Sequence, residues 1–242
     1  CTSIRELNKN KYELSLQNGD KVYSGRVICA AGYKTKTILP GIAFQDLGQS
    51  IGVALELLNV DSSILERKTV RSVSRGGSKC GIHLVPREDS IYIGAGSYVK
   101  NSNFKPTIRT DEIKYLIDQA EKDFLGKSNI YRSFISPVII GSRPVSLDSY
   151  PLIGSFTNHP SLFIATATNR IGFTWSPTIA NYALSWLDED FKDKSLDYQS
   201  NFNDWRPDRD LIDFGSNEEC LEYYVNTRVS NEYEHGLINS SS

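Results

Sequence analysis

Val27-Ile28-Cys29-Ala30-Ala31-Gly32 is an unbroken apolar run that closes on three small residues. Apolar residues without alternation predict a strand covered on both faces, as in a parallel or mixed sheet. The small residues at its end let something bulky approach the backbone closely. Just upstream, Tyr12-Glu13-Leu14-Ser15-Leu16 alternates apolar and polar, and Asn18-Gly19 is a strong signal for a two-residue hairpin turn. A hairpin feeding a buried strand reads as the interior of an α/β unit.

Working outward, Ile82 to Pro86 and Ile91 to Ala95 predict a second hairpin, joined by the polar Arg87-Glu88-Asp89-Ser90. Thr110 reads as the N-cap of a helix, with Asp111 and Glu112 suited to its positive end and Gly126 able to close it. Ile113, Leu116, Ile117, Ala120 and Phe124 fall on one face at helical spacing. Phe134 to Ile140 predicts a strand leading into Gly141-Ser142-Arg143-Pro144, and Leu162 to Ala167 predicts another. A loop, Thr168 to Thr174, then delivers the chain to a helix with Ser176 as N-cap and Pro177 at its first position. Its expected buried face is Ile179, Ala180, Ala183, Leu184 and Leu187. Residues 190–242 lose periodicity and are expected to form an extended surface tail. Its Trp205-Arg206-Pro207-Asp208-Arg209 and Tyr223-Tyr224 could pack on the domain or on a partner. No internal repeat is visible.

Composition excludes several classes of function. Of 242 residues, 39% are apolar and 23% charged, with a formal net charge of -2, which suits a globular protein and gives no reason to expect nucleic acid or an anionic membrane. No apolar run approaches the length of a membrane span, and there is no signal-peptide pattern, so a cytoplasmic location is expected. Cys1, Cys29, Cys80 and Cys220 are scattered and read as reduced or buried thiols. With only His83, His159 and His235 beside them, no metal centre is expected. The chain begins with Cys1 and contains no methionine, as expected of a processed or truncated product.

Four segments occur in a telling order: Val27 to Gly32; Leu84-Val85-Pro86-Arg87 with Tyr92-Ile93-Gly94-Ala95-Gly96; Gly141-Ser142-Arg143-Pro144-Val145-Ser146-Leu147-Asp148-Ser149-Tyr150-Pro151-Leu152-Ile153-Gly154; and Phe163-Ile164-Ala165-Thr166-Ala167-Thr168-Asn169-Arg170-Ile171-Gly172. Collinear, they resemble the C-terminal half of the FAD-dependent D-amino-acid oxidase and glycine oxidase family, over roughly residues 10–187. The resemblance implies a mixed α/β fold: part of a Rossmann-like FAD domain plus a substrate domain on a mixed, mainly antiparallel sheet. It implies residues 1–40 as the end of a first FAD-domain passage, 41–140 as the substrate domain, 141–190 as the return and 191–242 as a tail.

By the same resemblance, Arg143 anchors a substrate carboxylate, which a guanidinium can hold with two parallel hydrogen bonds. Its plainer alternative is an arginine paired with a structural acid at a sheet edge. The loop carrying Arg170, Ile171, Gly172, Phe173 and Thr174 precedes a helix N-terminus, whose free N–H groups and dipole favour the negative charge of a reduced flavin. Its alternative is an ordinary capped helix. Ala30, Ala31 and Gly32 would line the cofactor, or simply allow tight strand–helix packing. Asp148 is expected to shape a turn, and His83 to be structural. The implied chemistry is hydride transfer from the carbon bearing a neutral amine to the flavin, giving an imine that water hydrolyses, with no protein base nominated. No cysteine lies near Gly141 to Pro144, so FAD is expected to be non-covalent.

Two departures matter. The fingerprint Gly-x-Gly-x-x-Gly that seats a dinucleotide's pyrophosphate is absent. The chain is therefore expected to need an N-terminal FAD-binding segment or partner chain. Thr168 and Asn169 stand where the family pattern is more glycine- or histidine-like, which leaves the substrate open among amino acids and secondary amines. A 2-hydroxy acid oxidised at C–O, or a non-catalytic subunit retaining the fold, are the alternatives.

Overall fold

The computed structural model describes residues 1–72, 81–100, 107–188, 202–220 and 222. The chain divides into two compact units, Cys1–Gln49 with Arg143–Leu221, and Ser50–Ser142 with Glu222–Ser242. Cys80, His235 and Tyr223-Tyr224 lie outside the described residues.

The first unit opens with an antiparallel meander of β1 (Ser3–Asn8), β2 (Lys11–Ser15) and β3 (Lys21–Ser24). A three-residue loop, Gln17-Asn18-Gly19, joins the last two in place of the two-residue turn expected, with Gly19 at φ +92° and Leu16 N–H donating to Asp20 O at 2.9 Å. The hairpin expected there is thus one arm of a three-stranded sheet. The chain then enters β4 (Val27–Cys29), which lies parallel to β11 (Leu162–Thr166), while β10 (Leu152–Ser155) flanks β11 antiparallel. Val27 and Cys29 are buried in a core with Ile4, Tyr12, Leu39, Leu152, Leu162 and Ile164. Burying each large aliphatic side chain there contributes about 1.5–3 kcal/mol. The expectation of cover on both faces of this strand is only half met, because Ile28 points the other way and is 40% exposed.

Helix α4 (Gly172–Leu187) follows β11 and packs on the face that carries Ile153 and Phe163. Its buried side is Trp175, Ile179, Tyr182, Ala183 and Trp186. Ala180, Leu184 and Leu187, expected to be buried, are exposed. Aromatic rings decide the orientation: Phe163 meets Tyr182 and Trp186 at 5.3 and 5.4 Å between centroids, a larger contact than the aliphatic side can offer. The start of the helix also differs. It begins at Gly172, with Ile171 as N-cap, so Ser176 and Pro177 stand inside it. Pro177 cannot donate to Phe173 O, and Ser176 Oγ–H donates to that carbonyl instead, at 2.8 Å.

Residues 202–220, expected as a surface tail, put side chains into the core of this unit. Phe202 is buried against Tyr182, stacked at 4.8 Å, and Trp205 lies 4.9 Å from Trp175. Arg209 Nη2 donates to both oxygens of the fully buried Asp148 at 2.9 and 2.8 Å. Asp148 does turn the chain locally, accepting from Tyr150 N–H, and also receives Gln45 Nε2 and Ile212 N–H.

The second unit is built on a five-stranded sheet in the order β6 (Val70–Arg71), β7 (His83–Pro86), β8 (Ser90–Lys100), β5 (Leu47–Leu58), β9 (Phe134–Ser146). The expected β7–β8 hairpin forms, with Arg87 N–H donating to Ser90 O. A short helix α1 (Thr35–Ile38) precedes β5 in the chain. Helix α2 (Thr110–Ala120) buries Leu116 and Ala120 against Ile51, Val53, Leu55, Leu84 and Ile93. Its N-cap is Arg109 rather than Thr110, since Arg109 keeps an extended backbone (φ -85°, ψ 135°) and Thr110 is already helical. A π-turn over Glu121–Leu125 and Gly126 at φ +68° lead into α3 (Gly126–Tyr131). His83 stacks on Tyr92 at 5.8 Å, and a Cβ at Gly94 would sit 2.7 Å from its Nε2. That is packing, as expected for a structural histidine.

Candidate active site

The carboxyl ends of β4 and β11, being parallel, open on the same edge of their sheet, the place where ligands bind in open α/β sheets. Ala30, Ala31 and Gly32 leave β4 there. Ala30 is exposed, and Gly32 adopts φ +59° with nothing within 4 Å of where a Cβ would stand. Thr166, the last residue of β11, donates its Oγ1–H to Gly32 O at 2.9 Å, and Thr35 Oγ1–H donates to the same carbonyl at 2.8 Å. Two buried threonines therefore fix the turn that follows the apolar run.

The loop after β11 is strained. Ala167 (φ +58°) and Asn169 (φ +46°) both hold the left-handed conformation, which costs about 1–3 kcal/mol per residue for non-glycine side chains. Asn169 N–H donates to Pro144 O at 3.1 Å, and Ile171 N–H to Thr168 O at 2.9 Å. The first bond ties this loop to the residue that follows Arg143. Arg143 itself lies within β9 and is half-buried; the strand expected to end at Ile140 continues to Ser146, so Arg143 is strand-borne. Pro144 fits there because it needs no N–H, and its carbonyl carries the loop.

At the amino end of α4, the N-cap Ile171 makes no side-chain cap and the first turn has no acidic residue. Arg170, Ile171, Phe173 and Thr174 are exposed, Phe173 at 95%. Gly172 is required by a neighbour: a Cβ there would stand 2.5 Å from Thr168 Oγ1. Of the segments singled out in sequence, 30–32 is joined to the end of β11 by the Thr166–Gly32 bond, and the loop 168–174 is joined to Pro144, beside Arg143, by the Asn169–Pro144 bond. Thr166 and Asn169 make those joints, a role the sequence reading gave to neither, Asn169 having stood out there only as a departure from the family pattern. The only signal for Thr166 was a polar residue at the end of an apolar strand.

Burial pushes the Cys29 thiol up, against the opposing pull of the Ala31 backbone and Thr35, so it stays protonated beside the site. Cys1, Cys29 and Cys220 are free thiols. Among the described residues no group of His, Cys, Asp and Glu could hold a metal ion, and no helix is long and apolar enough to cross a membrane.

A family model described as FAD dependent oxidoreductase matches residues 1–186. Among solved structures, glycine oxidase from Geobacillus kaustophilus is similar at a TM-score of 0.66 and 18% identity, over 87% of this chain and 52% of that one. Iminodiacetate oxidase from Chelativorans sp. BNC1 is similar at 0.59 and 13%, over 85% and 52%. L-proline dehydrogenase from P. horikoshii is similar at 0.61 and 15%, over 84% and 55%. At these identities the likeness is one of fold, and the chain spans about half the length of these proteins. No curated protein matches the chain by sequence.

Proposed function

The chain belongs to the DAO family of FAD-dependent oxidoreductases, and on that premise we propose that it forms the larger part of a substrate site, and one end of a flavin site, in an enzyme oxidising the C–N bond of an amino acid or secondary amine. The observation that carries this reading is the pair of hydrogen bonds, Thr166 to Gly32 and Asn169 to Pro144, that gathers the three candidate segments at one sheet edge.

The residues present fit the ring end of FAD. Gly32 leaves its Cβ direction open, and α4 presents an amino end without side-chain cap or acidic residue. Bound FAD would supply the acceptor for the two electrons and the hydrogen leaving the substrate carbon. The α4 amino end would stabilise the negative charge gained on reduction. Arg143 would hold a substrate carboxylate by its planar fork, fixing the plane of the reacting carbon. The imine product would be hydrolysed by water to a carbonyl compound and ammonia or a smaller amine. No cysteine stands near Arg143, which favours non-covalent binding. No Gly-x-Gly-x-x-Gly stands in these 242 residues, so the pyrophosphate would be gripped by an N-terminal FAD-binding segment or partner chain. Free thiols at Cys1, Cys29 and Cys220 suit the cytoplasm as the working compartment.

The test is a visible spectrum of the protein purified from its natural coding region, followed by anaerobic addition of amino acids, secondary amines and 2-hydroxy acids. Bleaching of a flavin band by an amine carboxylate, with Arg143→Lys lowering kcat/KM roughly 10- to 150-fold as a charge-assisted bond is lost, is the expected result. Bleaching by hydroxy acids alone would move the reaction to C–O. A colourless protein would remove the enzymatic reading.

A further inference from the structure

Apart from the candidate active site, the first unit holds a cavity of about 710 Å³ between the segment that enters β5 and residues 209–217. None of residues 30–32, 143 or 168–174 lines it. The volume suits a small organic molecule, whose sites run to about 300–1,000 Å³. Phe44, Leu147, Leu211 and Phe214, all half-buried, give it apolar walls. Asp46 and Asp210 also line it, and both are exposed.

The charge around this cavity is of one sign. Among the described lining residues Arg209 is the one base, and its charge is already matched. Its Nη2 donates to both oxygens of the fully buried Asp148, at 2.9 and 2.8 Å, and its Nη1 to Arg206 O at 3.1 Å. From Asp210 to Glu219 the chain then carries Asp210, Asp213, Glu218 and Glu219, with no basic residue among them. Asp213 accepts from Tyr150 Oη–H and Glu219 from Gly215 N–H, both neutral donors that leave the negative charge uncompensated. A cleft with acidic residues and apolar walls concentrates cations and repels carboxylates and phosphates. A metal ion is poorly served, because the acids are dispersed: among the described residues no group of His, Cys, Asp and Glu could hold one.

The chain itself shows which cation such a wall accepts. Lys36 of α1 places its ammonium 4.6 Å from the centre of the Phe44 ring, 3.0 Å from Asp46 Oδ1 and 2.7 Å from Phe44 O. A ring face beside a carboxylate thus holds an ammonium group, by cation–π attraction and an ion pair together. Phe214 and Asp210 bring the same two groups to the cavity, and among the described residues no cation meets the Asp210 carboxylate.

We propose that this cavity is a binding site for a small organic ammonium ion that carries an apolar group and no carboxylate. Asp210 holds the ammonium, and Leu147, Leu211 and Phe214 cover the apolar part. The site is independent of whether flavin binds.

Isothermal titration of the protein expressed from its natural coding region tests it, with benzylammonium, benzyl alcohol and benzoate as probes. Benzylammonium is expected to bind saturably with Kd on the order of 1 mM, roughly tenfold tighter than either of the others. Asp210→Asn should weaken it about threefold and the charge reversal Asp210→Lys about tenfold. Because Asp210 is exposed, both variants should keep the parent melting midpoint. Arg143→Lys should leave the affinity unchanged. Absence of saturable binding, or benzyl alcohol binding as tightly as benzylammonium, overturns the proposal. So does binding that survives Asp210→Lys and is lost in Arg143→Lys, which would place the amine in the candidate active site.

Discussion

Asp148 shows how far a single residue's role can exceed its sequence signal. Within Ser-Leu-Asp-Ser-Tyr-Pro it reads as a turn former, and it does accept from Tyr150 N–H at 3.1 Å. Its larger role is to neutralise Arg209, sixty-one residues on, with both groups almost wholly out of water. Asp148→Asn keeps the shape and leaves the guanidinium charge uncompensated, which is expected to cost about 3–5 kcal/mol in urea unfolding. A second readout separates this from general loosening. Burial, and after it the Asp148 and Glu219 carboxylates, push the Cys220 thiol up to about 11. In a still-folded Asp148→Asn variant that thiol should titrate lower. An unchanged thiol together with unchanged stability would show the pair to be idle.

Tyr12 carries the alkaline limit of the same unit. Burial, with the Glu6 carboxylate next in effect, pushes its phenol up to about 12, whereas an unfolded tyrosine titrates near about 10. Between those values the native state keeps a proton that the unfolded chain has released. Its contribution is therefore complete below about pH 10 and lost as pH rises through about 12. Denaturant midpoints across that range should fall for the natural sequence and fall less for Tyr12→Phe. Equal slopes would assign the alkaline loss to other groups.

At the scale of elements, the strands with a clean signal were found and the helix ends were displaced, for reasons the structure makes plain. The Asn18-Gly19 hairpin and the β7–β8 hairpin follow from local turn chemistry alone. The twelve residues of β5 escaped notice because Leu47 to Leu57 is buried on both faces, Gln49 and Ser50 included, so no alternation marks it. Helix α4 was started five residues late because Ser176-Pro177 imitates a cap, while the true start at Gly172 is fixed by the strained loop and has no capping side chain. Gly172→Ala tests that start. Alanine is ordinarily favoured over glycine in a helix by about 1 kcal/mol. Here its Cβ would meet Thr168 Oγ1 at 2.5 Å, so a loss of about 1–3 kcal/mol is expected. In a Thr168→Ala background the obstruction is gone and the loss should shrink markedly, a coupling that a double-mutant cycle reads directly. Additive effects would place the constraint elsewhere.

At the scale of the molecule, the collinear segments between Val27 and Gly172 led to the family and to the mixed α/β fold. They gave no hint of what lies beyond α4, because aromatic residues without periodicity do not announce a partner. The family match ends at residue 186, yet the packing of this unit does not. Phe202 and Trp205 cover Tyr182 and Trp175 on α4, Arg209 neutralises Asp148, and Cys220 donates its thiol to Leu147 O. A chain cut after Leu187 would uncover two large rings and strand a buried carboxylate, two losses whose sum is comparable with the whole stability of a domain, about 5–15 kcal/mol. It is expected to precipitate or to melt without a cooperative transition, whereas the 242-residue form should melt cooperatively. Because Trp175 is in the first turn of α4, the shortened chain should also lose the ordered environment of its indole, visible in near-ultraviolet circular dichroism. A cooperative transition for the Leu187-terminated chain at the parent midpoint would mean that residues 202–220 merely rest on a unit able to stand without them.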